Sequence, residues 1–374
     1  MRIAAAGTMK IGLLTFHRCI NYGSYWQARC LLQALRSRGH DAVLLDHRSR
    51  RIDMAEWRCA LRPAWPASFR SDGALYASKA RRFLDALAAL PSSPGFDLDS
   101  PRGTDPYDLV IVGSDEVWNL DHPWYGECPL FFGERVRAHR LAAYGASFGS
   151  YAADKGLPHA WAKRLGSFDL ISVRDGNSRA IVEGALGVEA EVVLDPCLQF
   201  PLGEHRDANR AEHGDAYVAV YGHSFSGWFA HALRDWARRR DLRLVSIGYR
   251  NAWADDSWIS AGPEDFRHFM AGARAIATNF FHGCVFALRE WKPFVCERSP
   301  YRTIKIGELM ALAGTSGHLV SEQSPWQTYE ARLDSPLSID IARRLEQRRR
   351  ASEAYLDRVL SQDSPRAEEP RYAA

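Results

Sequence analysis

The chain has 374 residues, and its 48 Lys and Arg against 45 Asp and Glu leave a net charge of +3, too small and too interleaved for a nucleic-acid binder. Hydrophobic residues at 46% and charged residues at 25% exclude a mainly disordered or collagen-like chain and point to a globular protein of one large domain or two. Seven scattered cysteines with no C-x-x-C pair predict reduced thiols, an intracellular setting and no zinc knuckle. Lys10 interrupts the start before any apolar run of signal-peptide length, and no stretch approaches the roughly 18 apolar residues of a membrane span, so a cytoplasmic location is expected. The 12 Trp suit either core filling or the handling of sugars and flat ligands.

In chain order, KIGLLTF from Lys10 reads as a strand, Asn21, Tyr22 and Gly23 as a turn, and Ser24 to Arg38 as an amphipathic helix stopped by Gly39. DAVLLD at Asp41 to Asp46 completes a βαβ unit of a parallel sheet. Further strands are predicted at Asp108 to Val112, Leu141 to Ser147, Leu170 to Val173 and Glu191 to Leu194, with helices at Trp161 to Leu165 and Ser178 to Leu186. Residues 202–215 are polar and read as a linker. The alternation then restarts, with strands at Tyr217 to Tyr221, Leu242 to Ile247, Arg274 to Thr278 and Pro293 to Cys296. Helices are predicted between and after them, at Trp228 to Arg239, Glu264 to Ala271, Gly283 to Glu290 and Ile304 to Leu312. The expected architecture is α/β, with two Rossmann-like domains facing a cleft. An N-terminal domain spans 10–201, a C-terminal domain 216–338, and a final helix over 339–361 packs across both. The tail from Gln362 is expected to be disordered.

Ligands of such sheets sit beyond the carboxyl ends of the strands, so polar residues just after strands are the site candidates. IVGSDEVWN offers Ser114, Asp115, Glu116 and Asn119, the competing reading being a capped loop. TNFFHG leaves a strand and enters a helix, so the helix start and His282 favour an anion, against a core or capping histidine. Arg174 follows a strand directly and suits a carboxylate or phosphate, against a salt bridge to Asp175 or Asp195. Asp195, in LDP, reads as a base or, preferably, as a turn-forming residue. The histidines show no H-E-x-x-H spacing, so no obligatory metal is expected, and no G-x-G-x-x-G follows the first strand.

Taken in order, KIGLLTF with NYGS, DLVIVGSDEVWN, AAYGASFG, ISVRD, VVLDPCL, GPEDF, ATNFFHG and KPFVC resemble the polysaccharide pyruvyl transferase family over about Lys10 to Leu312. The resemblance implies a GT-B-like pair of Rossmann domains. It also implies transfer of the pyruvyl group of phosphoenolpyruvate to a sugar or glycan, giving a pyruvate ketal and phosphate with no cofactor beyond that co-substrate. It places Arg174 on the donor's anionic groups and His282 at the leaving phosphate. Asp115 or Glu116 would deprotonate the acceptor hydroxyl, oriented by Asn119, and Asn21, Tyr22 and Gly23 would line the acceptor side. Ser114, Ser147, Asn279 and Gly283 complete the binding set, and Lys305 would add positive potential. Glu116 stands where many relatives carry Gln, and Phe280 and Phe281 stand where some carry an arginine before the histidine. Three alternatives stay open: a glycosyltransferase of the same plan using a nucleotide sugar, with Glu297 on the ribose; a diverged relative acting on another acceptor; and a non-catalytic binder of an anionic metabolite.

Overall fold

The computed structural model describes residues 7–63, 70–101, 106–203, 216–298, 303–361 and 371–372. Its strands are β1 (Lys10–Leu14), β2 (Asp41–Leu44), β3 (His47–Arg48), β4 (Phe96–Asp97), β5 (Tyr107–Val112), β6 (Arg137–Ala146), β7 (Leu170–Val173), β8 (Glu191–Val192), β9 (Tyr217–Tyr221), β10 (Arg243–Ile247), β11 (Asp256–Trp258), β12 (Ala275–Thr278), β13 (Phe294–Glu297), β14 (Leu319–Val320) and β15 (Arg371–Tyr372). The chain divides into two compact units, each an α/β structure built on a main parallel sheet, the first with an additional two-stranded sheet of β3 and β4. The first comprises Met1–Ala55, Ala88–Leu202 and Glu346–Ala374, the second Glu56–Leu87 and Gly203–Leu345.

In the first unit the strand order is β2-β1-β5-β6-β7-β8, all parallel, with Leu13 opposite Ile111 and Ile111 opposite Ala142. Strands such as Leu109–Val112 are continuous apolar runs because a parallel sheet is covered on both faces. The helix Tyr22–Ser37 begins where Asn21 Oδ1 accepts the Gly23 and Ser24 N–H groups, at 2.8 and 3.3 Å. Trp118 is fully buried against Phe132, Phe148 and Phe168, and its Nε1 donates to Phe131 O at 2.9 Å. Trp26 and Trp236 are also fully buried, so these indoles fill cores.

The last long helix, Ile339–Leu360, has the predicted bounds, and from Glu346 onward it belongs to the first unit. There Tyr355 Oη donates to Ala143 O at 2.7 Å, and Ser352 Oγ accepts the Leu194 N–H at 2.9 Å. The buried Arg140 guanidinium closes its end, donating to Val359 O and Ser361 O at 2.9 and 2.8 Å, where the helix dipole is negative.

In the second unit the order is β11-β10-β9-β12-β13-β14, again all parallel. A stretch from the first half of the sequence belongs to it: the helix Gly73–Ala88 carries Lys79 and Tyr76 onto the loop after β10. Lys79 Nζ donates to Gly248 O at 3.0 Å, Tyr76 Oη accepts the Arg250 N–H at 3.0 Å, and Arg250 pairs bidentately with buried Asp72 at 2.6 and 2.9 Å. The expected 10–201 span therefore differs from the first unit, since Glu56–Leu87 is spent on the second.

Residues 204–215, most of the expected linker, lie outside the described residues, as do 362–370 of the expected disordered tail. Beyond them the tail is not disordered as expected: Arg371 and Tyr372 pair antiparallel with Ala138 and Arg137. The backbone groups of these two residues gain ladder partners on β6, which is the physical reason for the difference. Among the described residues no helix is long and apolar enough to cross a membrane.

Candidate active site

Parallel strands deliver their following residues to one edge. In the first unit the order reverses at β1, whose neighbours β2 and β5 lie on opposite sides, and the crevice of such a sheet opens there. Gly113 follows β5 with φ +108°, and a Cβ there would lie 2.6 Å from Tyr144 O, so glycine is required. Ser114 Oγ then donates to Gly145 O at 2.8 Å, and its carbonyl accepts Thr15 Oγ1 at 2.7 Å. Asp115 adopts φ +87°, an uncommon conformation for a side-chain-bearing residue. Its backbone bridges to Ala146 while its carboxylate turns inward.

That carboxylate accepts Ser24 Oγ at 2.6 Å and the Glu116 N–H at 2.9 Å, and lies 3.5 Å from Arg174 Nη2. Arg174 Nη1 donates to Asp195 Oδ2 at 3.3 Å, an oxygen that also accepts Gln27 Nε2 at 2.8 Å. Burial works against the charge on Arg174, but Asp115, Asp195, Glu116 and Asp175 outweigh it and hold the pKa above the ordinary value. The guanidinium is thus a permanent, buried cation. Asp195 also caps the short helix Pro196–Gln199, accepting the Cys197 N–H at 2.9 Å, so its turn-forming role and its ion pair coexist.

Ser147 Oγ donates to Asp175 Oδ2 at 2.6 Å and accepts the Gly149 N–H at 2.9 Å. Asp175 in turn caps the helix Gly176–Leu186 through the Ser178 N–H at 2.7 Å. Gly149 (φ +58°) rests against the Glu116 carboxylate and the Asn119 amide, leaving no room for a side chain. Glu116, half-buried, accepts Asn119 Nδ2 at 3.0 Å. The structure thus brings Ser114, Asp115, Glu116, Asn119, Ser147 and Arg174 into one hydrogen-bonded neighbourhood. Asn21 spends its amide oxygen on the helix cap, Gly23 is buried beside it, and Tyr22 has no exposed surface. Ser24 and Gln27, three residues apart on one helix face, join the network without having been singled out in the sequence.

In the second unit, Asn279 and Phe280 follow β12 at the place where that sheet reverses order between β9 and β12. Asn279 Nδ2 donates to His223 O at 2.9 Å, and Phe280 packs edge-on against Tyr221, His223 and Tyr249. The helix Phe281–Arg289 starts on Phe280, whose side chain offers no cap, and half-buried His282 stands in its first turn. A Cβ on Gly283 would collide with Thr278, so glycine lets this helix start approach β12 closely. Lys305 is half-buried on the helix Thr303–Ala313. Glu297, at the end of β13, accepts Ser226 N at 3.0 Å and Ser226 Oγ, which puts a carboxylate at the start of the helix Gly227–Arg238.

Two parallel sheets, each with polar residues at its carboxyl edge, make up two Rossmann-like units. The family model of polysaccharide pyruvyl transferase matches residues 21–298, and the chain belongs to that family. No curated protein matches it. Similar solved structures include the glycosyltransferase SnogD from Streptomyces nogalater, at 15% identity and TM-score 0.48 over 94% of this chain and 99% of that one. S. aureus MnaA, in its UDP co-structure, is 14% identical with TM-score 0.48 over 96% and 99%. Arabidopsis thaliana UGT89C1, complexed with UDP-L-rhamnose, is 10% identical with TM-score 0.48 over 95% and 98%. Likeness of this degree speaks to neither reaction nor ligand.

Proposed function

We propose that the protein transfers the pyruvyl group of phosphoenolpyruvate to hydroxyls of a sugar or glycan precursor, forming a pyruvate ketal and releasing phosphate. The observation that carries this reading is Arg174, a buried permanent cation at the carboxyl end of β7, oriented by Asp115 and Asp195. Held in that way, the guanidinium is fixed in orientation, and the donor's anionic groups would take the place of one of its carboxylate partners. Half-buried His282, in the first turn of the helix Phe281–Arg289, supports a second anion contact, for the phosphate that leaves.

The chemistry protonates the vinyl carbon, adds one sugar hydroxyl to the adjacent carbon, expels phosphate and closes the ring with a second hydroxyl. Glu116 is the better base of the two acids, because Asp115 is buried with both oxygens engaged while Glu116 is half-buried and held by Asn119. The nucleotide-sugar alternative is weakened by Glu297, whose carboxyl group already occupies the helix start after the unit's first strand, where a diphosphate would bind.

Calorimetric titration with phosphoenolpyruvate, beside UDP-glucose and UDP-N-acetylglucosamine, tests the donor. Saturable phosphoenolpyruvate binding that Arg174→Ala weakens by about 2 to 4 kcal/mol is expected. Binding of a nucleotide sugar instead, or unchanged binding by Arg174→Ala, would refute the assignment.

A further inference from the structure

Further along the loop that carries Glu116 and Asn119, the first unit holds a cavity of about 210 Å³. Trp124, Leu98 and Leu130 supply its apolar wall, and Arg51, Asp99 and Arg135 its polar groups. Its volume is below the roughly 300–1,000 Å³ of sites for drug-sized ligands, so it suits a single ring rather than a nucleotide.

The charges nearly cancel. Arg51 and Arg135 line it together with Asp99, Glu127 and Glu134, and Glu134 is already paired with Arg164 at 2.6 Å and near Arg135 at 3.9 Å. Neither a phosphate nor a simple cation is favoured by such a balance. Burial pushes the Cys128 thiol up to about 11 although the Leu130 and Phe131 N–H groups bond to it, so this wall is uncharged and unreactive. What remains is a wall that takes C–H faces, beside carboxylates that accept and guanidinium groups that donate. A neutral ring with vicinal hydroxyls satisfies all three, since each hydroxyl both donates and accepts.

The wall is also fixed in advance. His122 Nδ1 accepts the Trp124 and Tyr125 N–H groups at 3.2 and 3.1 Å, and Arg51 Nη2 donates to Trp124 O at 3.0 Å. The backbone under the indole is therefore held on its N–H and its carbonyl, which lowers the ordering cost of binding.

We propose that this cavity is a subsite for one neutral hexopyranose unit of a glycan. Its use in holding the acceptor during transfer rests on the pyruvyl-transfer reading, whereas the binding itself does not. The test is saturation-transfer NMR and titration of the full chain with the methyl glycosides of glucose, galactose, mannose, N-acetylglucosamine and N-acetylmannosamine. At least one should saturate, and its affinity should fall tenfold or more in Asp99→Asn and in Trp124→Ala. Asp99 is exposed, so its variant keeps the test valid where the tryptophan variant fails to fold. Saturation by none of the five, or equal binding by Asp99→Asn and the unmodified chain, would overturn the proposal. Phosphoenolpyruvate failing to bind would refute the donor assignment alone and leave this result standing.

Discussion

Replacing Lys79 by Met should make the protein more stable at neutral pH and change how stability depends on pH. Lys79 is 4% exposed, its Nζ donates to Gly248 O, and it lies 4.2 Å from the Tyr249 ring centroid. Burial lowers its pKa from 10.5 to about 7. Between those values the unfolded chain binds the proton and the folded one does not, so stability must rise with pH across that window. Three pH units at about 1.4 kcal/mol each amount to about 4 kcal/mol between pH 7 and pH 10. At roughly 2 to 4 °C per kcal/mol, that is a relative shift in Tm of about 10 °C. Met keeps the volume and removes the titration, at the cost of one hydrogen bond, about 1 kcal/mol, and, where the amine is protonated, one cation–π contact of similar size. Melting both proteins at pH 7 and pH 10 isolates the effect, because every other titrating group is common to the pair. Lys79→Met should be the more stable at pH 7 and lose that lead by pH 10. Curves that stay parallel across this range would refute the reasoning.

Gln27→Leu removes a buried donor to Asp195 and should cost about 1 to 3 kcal/mol in denaturant melts, while also weakening phosphoenolpyruvate binding through Arg174. Loss of stability with donor binding intact would separate Gln27 from the site. Tyr355→Phe removes one of the two side-chain donors to Ala143 O, Ser172 Oγ being the other at 3.0 Å, and should cost about 1 kcal/mol, with Cm shifted and m unchanged.

The sheet alternation was legible because buried parallel strands are uninterrupted apolar runs and some of the helices begin on side-chain caps, Asn21, Asp175 and Asp195 among them. Leu170–Val173 and Tyr217–Tyr221 have the predicted bounds, and β5 differs by one residue. Arg50–Leu61 and Gly73–Ala88 were not singled out, and nothing local signals that the second of these pairs with residues near 250. Two- and three-residue strands such as β3, β4, β11 and β14 are too short to show a period. The polar residues that cluster after β5, β6 and β7 were singled out by their position after strands. Ser24 and Gln27 were not, because their partners lie 91 and 168 residues away. The capping role of Asn21 carries a clear local signal, an Asn directly before a helix, which weighs against a purely ligand-facing role for that residue.

The way the chain visits the units bears on how it is made. The first unit takes its last helix from residues after 345, so Arg140, Ala143 and Leu194 wait for partners that leave the ribosome only after the second unit has been made. The second unit, by contrast, has all its pieces by Leu345. Vectorial synthesis therefore favours completion of the C-terminal unit before the N-terminal one, the reverse of the usual order. A fragment ending at Leu202 would lack the Val359 and Ser361 carbonyls that take the Arg140 guanidinium and the Ser352 hydroxyl that takes the Leu194 N–H, and is expected to aggregate rather than fold alone.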